Sequence, residues 1–179
     1  HVFETVEFKG KRLAITICED LWNIGDDLLY RGNPMDELMV QNPDLIINIA
    51  ASPFHYDQAA KRKQKLLQNT EKYKLPLFYV NHVGAQTELL FDGGSLVLNQ
   101  DSELIDELPY FTEELRVYEL EKLEINPDTE PSHTKIELIH DALVMGVKNY
   151  FNKLGFKEAI LGLSGGIDSA VTLVLAARA

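Results

Sequence analysis

The chain has 179 residues, of which 45% are hydrophobic and 25% are charged, and its formal net charge at pH 7 is −11. This composition suits a globular protein with a sizeable core, whereas the acidic balance argues against a nucleic-acid partner, because such proteins use Lys and Arg to displace phosphate counterions. No apolar run approaches the roughly 20 residues that span a bilayer, and the first residues lack the pattern of a signal peptide, so the sequence predicts a cytoplasmic protein without a membrane partner.

The first part of the chain alternates strand and helix patterns. Alternating apolar residues predict strands over residues 2–8 and 12–17, joined by a hairpin at Gly10. Apolar runs of strand length then alternate with helix-forming stretches; the predicted elements are a helix over 33–41, a strand over 45–50, a helix over 57–73 and a strand over 77–81. This order predicts a sheet with helices on its faces.

Three short strand patterns follow, over residues 93–99, 104–108 and 115–120. Because polar turns separate them, they predict an antiparallel end to a mixed sheet. Residues 101–130 carry eleven Asp and Glu against one Arg and one Lys, so most of this stretch should face solvent. Together these patterns predict a first domain of the α/β class over residues 1–120.

A second domain is predicted after a linker over residues 121–131, where acidic residues and two prolines interrupt any regular pattern. Over residues 132–179, Ser132 is expected to cap a long helix that ends near Gly155. Its predicted apolar stripe consists of Ile136, Ile139, Leu143, Val144, Val147, Tyr150 and Phe151. An apolar strand over 159–163 and a further helix complete the pattern, and since one β-α unit cannot bury both its faces, we expect more of this domain to follow.

The turn between that strand and the last helix has the composition of a phosphate-binding loop. It consists of Ser164, Gly165, Gly166, Ile167, Asp168 and Ser169. Glycines let backbone N–H groups approach an anion, and the helix that follows offers unpaired N–H donors and the positive end of its dipole. The spacing and the lack of a lysine exclude a Walker A loop. The alternative is an ordinary strand-to-helix turn in which Ser164 or Asp168 caps the helix.

The whole string from Ser164 to Ser169 resembles the pyrophosphate loop of the ATP pyrophosphatase family. Members of that family release pyrophosphate from ATP by adenylating an oxygen of the substrate, and a nucleophile such as ammonia then displaces AMP. The resemblance implies that this part of the chain begins a doubly wound parallel α/β domain.

The single cysteine excludes both a disulfide within the chain and a cysteine-based zinc site. The histidines show no metal-ligand spacing and are expected to be structural or surface residues. Cys18 stands at the end of a predicted buried strand, a position from which α/β enzymes present nucleophiles. An inert buried thiol is the alternative interpretation.

Residues 17–22, with the sequence Ile-Cys-Glu-Asp-Leu-Trp, resemble the cysteine motif of the nitrilase superfamily, specifically the glutamine amidohydrolase domain fused to NAD synthetase. Residues 48–55, 81–95 and 142–146 resemble further segments of that family. Asp57 and Gln58 depart from it, because they stand where a glycine and a basic residue are usual. The resemblance implies a nitrilase-like mixed sheet with flanking helices, represented by its carboxyl-terminal part.

The resemblance implies an enzyme, a ligase that converts deamido-NAD to NAD with ATP and glutamine and releases AMP and pyrophosphate. Cys18 matches the family's nucleophile, and the N–H of Glu19 is expected to stabilise the oxyanion. The expected glutamine contacts are Glu19, Trp22, Ser52 and Arg62. The family's Glu base and Lys have no match among residues 1–17, so we expect the chain alone to have little activity.

In the other half, the loop residues Ser164 to Ser169 are expected to hold the phosphates of ATP, and Asp168 to bind Mg²⁺. The resemblance implies no prosthetic group. The passage of ammonia between two sites favours a closed assembly, so a homo-oligomer is expected.

Three other functions remain open at this point. The chain could belong to another amidotransferase ligase with the same phosphate loop, or to a freestanding nitrilase-type carbon–nitrogen hydrolase with an incidental Gly-Gly turn. The third alternative is a non-catalytic scaffold. An upstream Glu and Lys and a downstream nucleotide-binding continuation would favour the ligase that converts deamido-NAD to NAD over all three alternatives.

Overall fold

A computed structural model describes residues 2–25, 31–126 and 133–179. Its strands are β1 (Val6–Phe8), β2 (Lys11–Ile17), β3 (Leu45–Ala50), β4 (Leu77–Asn81), β5 (Val83–Gln86), β6 (Leu89–Asp92), β7 (Leu96–Leu98) and β8 (Leu104–Glu107). Its α-helices are α1 (Pro34–Met39), α2 (Gln58–Tyr73), α3 (Lys135–Leu154) and α4 (Ile167–Arg178), and a 3₁₀ helix spans Cys18–Leu21. The predicted strands over 45–50 and 77–81 are confirmed to the residue, whereas β1 and β7 are shorter than predicted.

Within the described residues, six strands form one mixed sheet in the order β1-β2-β3-β4-β7-β8. The central strands β2, β3 and β4 are parallel, and the outer pairs are antiparallel. Their register places Ile17 beside Ile49 and Ile49 beside Val80. The three parallel strands therefore end at a common edge, and the predicted mixed sheet with flanking helices is confirmed.

The core lies between one face of this sheet and the helices α1 and α2. Because side chains alternate along a strand, Ala14, Ile46 and Leu77 point into the core, where they join residues such as Met35 and Leu66. The opposite face carries apolar side chains that are at least one third exposed. These are Ile15, Ile17, Ile49 and Val80.

Strands β5 and β6 form a separate two-stranded hairpin that the sequence analysis missed. Its two-residue turn is Thr87-Glu88, and Thr87 has a φ of 54°. Hairpin turns of this kind usually carry Asn or Gly, so the sequence offers no turn signal there. Helix α3 packs on the hairpin, with Gly146 against Leu90.

The strand predicted over residues 115–120 is wrong. This stretch pairs with no strand of residues 2–25, 31–126 or 133–179, and Leu115 and Val117 are about nine-tenths exposed. Instead, two side chains of this stretch, those of Arg116 and Tyr118, donate hydrogen bonds to the buried carboxylate of Asp106. The segment is thus extended because side chains tie it to β8, not because its backbone joins the sheet.

Helix α3 has a different cap and a different buried face from those predicted. Ser132 lies outside the described residues; the hydroxyl of Thr134 accepts from the Glu137 N–H, and the Glu137 carboxylate accepts from the Thr134 N–H, which forms a capping box. The helix ends at Gly155, as predicted, with a φ of 73°. Its buried residues are Leu138, Ala142 and Met145, whereas Ile136, Leu143 and Tyr150 of the predicted stripe are exposed.

The strand predicted over residues 159–163 is also wrong for the described chain. None of the described strands pairs with these residues, and Ile160 is fully exposed. Helix α4 follows as predicted but buries none of its residues. An apolar stretch becomes a strand only when a neighbouring strand accepts its hydrogen bonds, and no described strand lies beside it. Among the described residues, no helix is both long and apolar enough to cross a membrane.

Candidate active site and phosphate loop

The first candidate site lies at the carboxyl edge of the parallel strands. β2 ends at Ile17 and leads directly to Cys18, while β3 ends at Ala50, two residues before Ser52. β4 ends at Asn81, the register partner of Ala50. Parallel strands end on the same side of a sheet, so the fold brings Cys18 and Ser52 to one edge, as their positions in the sequence predict.

Cys18 has an unusual backbone conformation. Its φ is 45°, in the left-handed region that side chains with a Cβ rarely adopt, at a cost of about 1 kcal/mol. The residue opens the 3₁₀ helix and is half-buried against the core. On its amino-terminal side, the N–H of Ile17 donates to Asp20 Oδ2 over 2.8 Å. The sharp turn redirects the chain from the strand and holds the cysteine at its tip.

Glu19 and Trp22 follow in the same turn. Glu19 is exposed, and its carbonyl oxygen accepts from the Trp22 N–H over 2.9 Å. Trp22 is half-buried. The turn therefore keeps Glu19 and Trp22 beside Cys18, and their predicted contacts with glutamine stay predictions.

The carbonyl oxygen of Cys18 is held by Asn48, a residue that the sequence analysis missed as a site residue. Asn48 Nδ2 lies 3.3 Å from that oxygen and 2.9 Å from Thr16 Oγ1. Thr16 and Asn48 are register partners on adjacent strands, and both are buried. A polar side chain on the buried face of a predicted strand was the signal that could have revealed it.

Ser52 is buried, and its backbone is held by Asn81. The Ser52 N–H donates to Asn81 Oδ1 over 3.0 Å, and Asn81 Nδ2 donates to Asp92 Oδ1 and to the Gly93 carbonyl oxygen. Asn81 is therefore the second site residue that sequence reasoning missed. It joins the loop after β3 to the end of β6.

Arg62, on helix α2, contacts the same Asp92 to which Asn81 donates, so its guanidinium faces a carboxylate of the protein. Both Nη atoms donate to Asp92, over 3.1 and 3.0 Å, and both side chains are about 1% exposed. Burial alone would lower the pKa of Arg62, but the hydrogen bonds and charge of Asp92 outweigh it and raise the pKa. Arg62 Nε is buried and has no hydrogen-bond partner within the part of the chain that the structure describes. The geometry thus assigns Arg62 a structural contact, and its predicted contact with glutamine remains untested.

Tyr79 adds a buried hydroxyl group close to these residues. Its ring centroid lies 5.5 Å from the Arg62 guanidinium carbon. Burial raises the pKa of Tyr79 to about 12, although the positive charge of Arg62 opposes the rise. The phenol is therefore neutral at physiological pH.

The second candidate site is the loop before α4. Gly165 has a φ of 84°, and the Gly166 N–H donates to Ser164 Oγ over 3.4 Å. Ser164 Oγ also lies 3.2 Å from Ser169 Oγ, whose hydroxyl donates to the Gly166 carbonyl oxygen. Gly166 occupies the cap position of α4 without a side-chain cap.

This arrangement leaves the amino-terminal end of α4 open to an anion. The first N–H groups of a helix lack partners within the helix and attract negative charge. Ser164, Ile167 and Asp168 are exposed at this end, and Ser169 is half-buried. Among the described residues, no group of three or more His, Cys, Asp and Glu side chains is arranged to hold a metal ion.

Comparisons with known proteins show what the chain is similar to. Residues 139–179 match the family described as NAD synthase. The chain is 37% identical over 179 residues to the glutamine-dependent NAD(+) synthetase of Synechocystis sp., a match that covers 96% of this chain and 32% of that protein. It is 36% identical over 182 residues to the corresponding enzyme of Acinetobacter baylyi, covering 100% of this chain and 32% of that protein.

Solved structures show the same relationship. The glutamine-dependent NAD+ synthetase from Acinetobacter baumannii, solved in complex with ADP, matches with a TM-score of 0.87 and 33% identity, covering 99% of this chain and 33% of that one. A carbon-nitrogen hydrolase from Helicobacter pylori matches with a TM-score of 0.53 and 18% identity, covering 62% of this chain and 41% of that one. This second likeness concerns the fold alone.

Fold and sequence together define a nitrilase-like α/β sheet that continues into a segment of the NAD synthase type. Over nearly its whole length the chain is similar to glutamine-dependent NAD(+) synthetases, and the predicted resemblance is confirmed. It spans about one third of the length of the curated relatives it matches.

Proposed function

We propose that the protein acts as a glutamine-dependent NAD synthetase, in which this chain contributes the glutaminase nucleophile and the ATP phosphate loop. The observation that carries the proposal is the occurrence of both features in one chain: Cys18 at a left-handed turn on the carboxyl edge of the sheet, and the open loop at the start of α4. The relatives that match nearly the whole chain carry the same activity in their names.

In the glutaminase step, the Cys18 thiolate attacks the side-chain amide carbon of glutamine. The carbonyl oxygen gains the negative charge, and the Glu19 N–H is placed to donate to it. When the tetrahedral intermediate collapses, the amide nitrogen takes up a proton and leaves as ammonia. Water then attacks the thioester, which releases glutamate and restores Cys18.

In the synthetase step, the N–H groups of the loop and of α4 would bind the phosphates of ATP, which is a substrate. The carboxylate of deamido-NAD attacks the α-phosphorus, pyrophosphate leaves, and ammonia then displaces AMP to form the amide of NAD. Asp168 is the exposed carboxylate at this helix end. One carboxylate suits Mg²⁺, which takes its other ligands from phosphates and water. When bound, Mg²⁺ would neutralise charge on the phosphate oxygens, and we propose no prosthetic group.

The domain boundaries predicted from the sequence also belong to this proposal: a glutaminase domain over residues 1–120, a linker over 121–131 and the start of the synthetase domain over 132–179. The support is that the last strand of the described sheet, β8, ends before the predicted linker and that α3 begins after it. A homo-oligomer and a cytoplasmic location remain predictions from the sequence, as does the lack of a nucleic-acid partner.

The proposal is tested with one substitution in each of the two sites, made separately in the full-length gene product. Cys18→Ala should abolish NAD synthesis from glutamine and leave synthesis from added ammonia, because the thiol acts only in releasing ammonia. Asp168→Ala should lower both rates, because both need ATP. For each variant, the glutamine-dependent rate and the ammonia-dependent rate are measured as NAD formed from deamido-NAD.

Equal loss of both rates in Cys18→Ala would contradict the division of labour. Glutamine hydrolysis without any ATP-dependent step in the unaltered protein would favour a freestanding carbon–nitrogen hydrolase. Full ammonia-dependent activity in Asp168→Ala would remove Asp168 from the phosphate site.

A further inference from the structure

The left-handed conformation of Cys18 has to be held by its surroundings. A non-glycine residue persists at a φ of 45° only where neighbouring contacts over-determine it. One such contact precedes the residue, between the Ile17 N–H and Asp20. The other reaches the carbonyl oxygen of Cys18 itself and comes from Asn48, on the neighbouring strand.

The orientation of the Asn48 amide follows from its partners. A carbonyl oxygen can only accept a hydrogen bond, so the amide nitrogen must face Cys18. The same nitrogen donates to Thr16 Oγ1 over 2.9 Å, and the Thr16 hydroxyl donates in turn to the Ile47 carbonyl oxygen over 3.4 Å. Asn48 therefore bridges β2 and the turn that begins where β2 ends.

Packing alone does not account for an asparagine at this position. Asn48 is completely buried, and its Oδ1 atom has no hydrogen-bond partner among the described residues. An unpaired buried acceptor destabilises the folded state, and leucine, which has a similar shape, would fill the space without that penalty. The amide at position 48 thus stabilises something other than the core, and its contact with Cys18 identifies what that is.

We propose that Asn48 is a positioning residue that holds the carbonyl group of Cys18 and thereby fixes the thiol and the following Glu19 N–H for attack on glutamine. The Cys18 carbonyl belongs to the same peptide group as the Glu19 N–H. Holding that oxygen therefore sets the direction of the donor that is to receive the developing oxyanion. This inference rests on the proposed function, because it assigns Cys18 as the nucleophile.

The test compares Asn48→Leu with Thr16→Val in the full-length gene product. Asn48→Leu removes the contact with Cys18, so kcat of glutamine-dependent synthesis should fall at least about tenfold, as expected for a misplaced nucleophile. KM for glutamine and the rate with added ammonia should stay within about twofold, a range too small to account for such a loss. Thr16→Val removes the other hydrogen bond of the same amide, together with the one from Thr16 to the Ile47 carbonyl oxygen, and keeps the contact with Cys18. Its ratio of glutamine-dependent to ammonia-dependent rate should therefore match that of the unaltered protein.

The proposal would be overturned if Asn48→Leu left the ratio of glutamine-dependent to ammonia-dependent rate unchanged. It would also be overturned if Thr16→Val lowered this ratio as much as Asn48→Leu does. If Asn48→Leu does not fold, which circular dichroism reports, Asn48→Ser takes its place, with the same loss expected because its hydroxyl is too short to reach the Cys18 carbonyl. Cys18→Ala is assayed alongside: if it keeps glutamine-dependent synthesis, the proposed function itself fails, which is a result distinct from failure at Asn48.

Discussion

The ion pair between Arg62 and Asp92 joins helix α2 to the end of β6 inside the protein. Both carboxylate oxygens receive hydrogen bonds from the guanidinium, and Asn81 donates to one of them as well. Taking two charges out of water is costly, and the cost is offset only while each has its partner. The pair is therefore sensitive to loss of either side chain, and through Asn81 it supports the Ser52 loop.

Arg62→Met is expected to lower the free energy of unfolding by about 3–5 kcal/mol, because it leaves the Asp92 carboxylate buried without a counter-charge. Urea titration followed by circular dichroism measures the change.

Lys63→Met is the matched control on the same helix. Lys63 pairs with Glu107 over 2.9 Å, but its side chain is 37% exposed, so its loss should cost less than about 1 kcal/mol. Equal effects of Arg62→Met and Lys63→Met would show that burial of the Arg62 pair contributes nothing to stability.

At the level of the elements, Asp106 on β8 organises the irregular chain that follows the sheet. Its buried carboxylate accepts from Arg116, from the Tyr118 hydroxyl and from Asn126. Burial alone would raise the pKa of Asp106, but the hydrogen bonds from Arg116, Asn126 and Tyr118 outweigh it and hold the pKa below its ordinary value. The aromatic contact between Tyr118 and Phe78 brings the same segment onto β4.

Asp106→Asn should destabilise the protein by about 2 kcal/mol near neutral pH, because hydrogen bonds to a charged group are lost. Since the folded-state pKa of Asp106 is the lower one, its contribution is complete above the ordinary aspartate pKa and is lost as pH falls through the folded-state value. The difference between Asp106→Asn and the unaltered protein should therefore shrink in acid, which urea titrations at several pH values would measure.

Glu114→Gln is the control for this prediction, because Glu114 also pairs with Arg116 but is more exposed than Asp106. It should cost less than about 1 kcal/mol. A difference between Asp106→Asn and the unaltered protein that stays constant down to low pH would contradict the role assigned to the charge of Asp106.

Across the whole chain, the two predicted domains differ in how much surface they bury. The core residues Ala14, Ile46 and Leu77 are completely buried between the sheet and its helices. Helix α4 buries no residue, and the stretch before it pairs with no strand in the described part of the chain. Local stability follows the density of buried apolar contacts.

Hydrogen exchange of the 179-residue chain should show this contrast. Amides of β3, which pairs with strands on both sides, are expected to exchange slowest, and those of residues 156–178 fastest. Mass spectrometry of proteolytic fragments measures both regions in one sample. Equal protection of β3 and α4 would contradict the contrast.

Several features of this protein follow from the local sequence. The buried strands over residues 45–50 and 77–81 can be predicted because their apolar runs have strand length and are bounded by turn residues. The end of α3 at Gly155 and the Ser-Gly-Gly turn can be predicted because each needs a backbone conformation that only glycine adopts freely. The position of Cys18 at the end of β2 also follows from the pattern, and the resemblance to NAD synthetases follows from the motifs around Cys18 and Ser164.

Other features depend on contacts between residues far apart in the sequence. The extended stretch around Arg116 is not a strand, because Asp106 engages side chains rather than the backbone. The buried face of α3 is set by the hairpin it meets, which no local signal predicts.

The same division applies at the candidate site. The sequence by itself predicted Cys18, Ser52 and the loop before α4 as the groups of the proposed chemistry. Only the tertiary structure decided that Arg62 faces Asp92 and that Asn48 and Asn81 hold the two turns. The physical reason is that a hydrogen bond across strands depends on register and burial, which the chain acquires only when it folds.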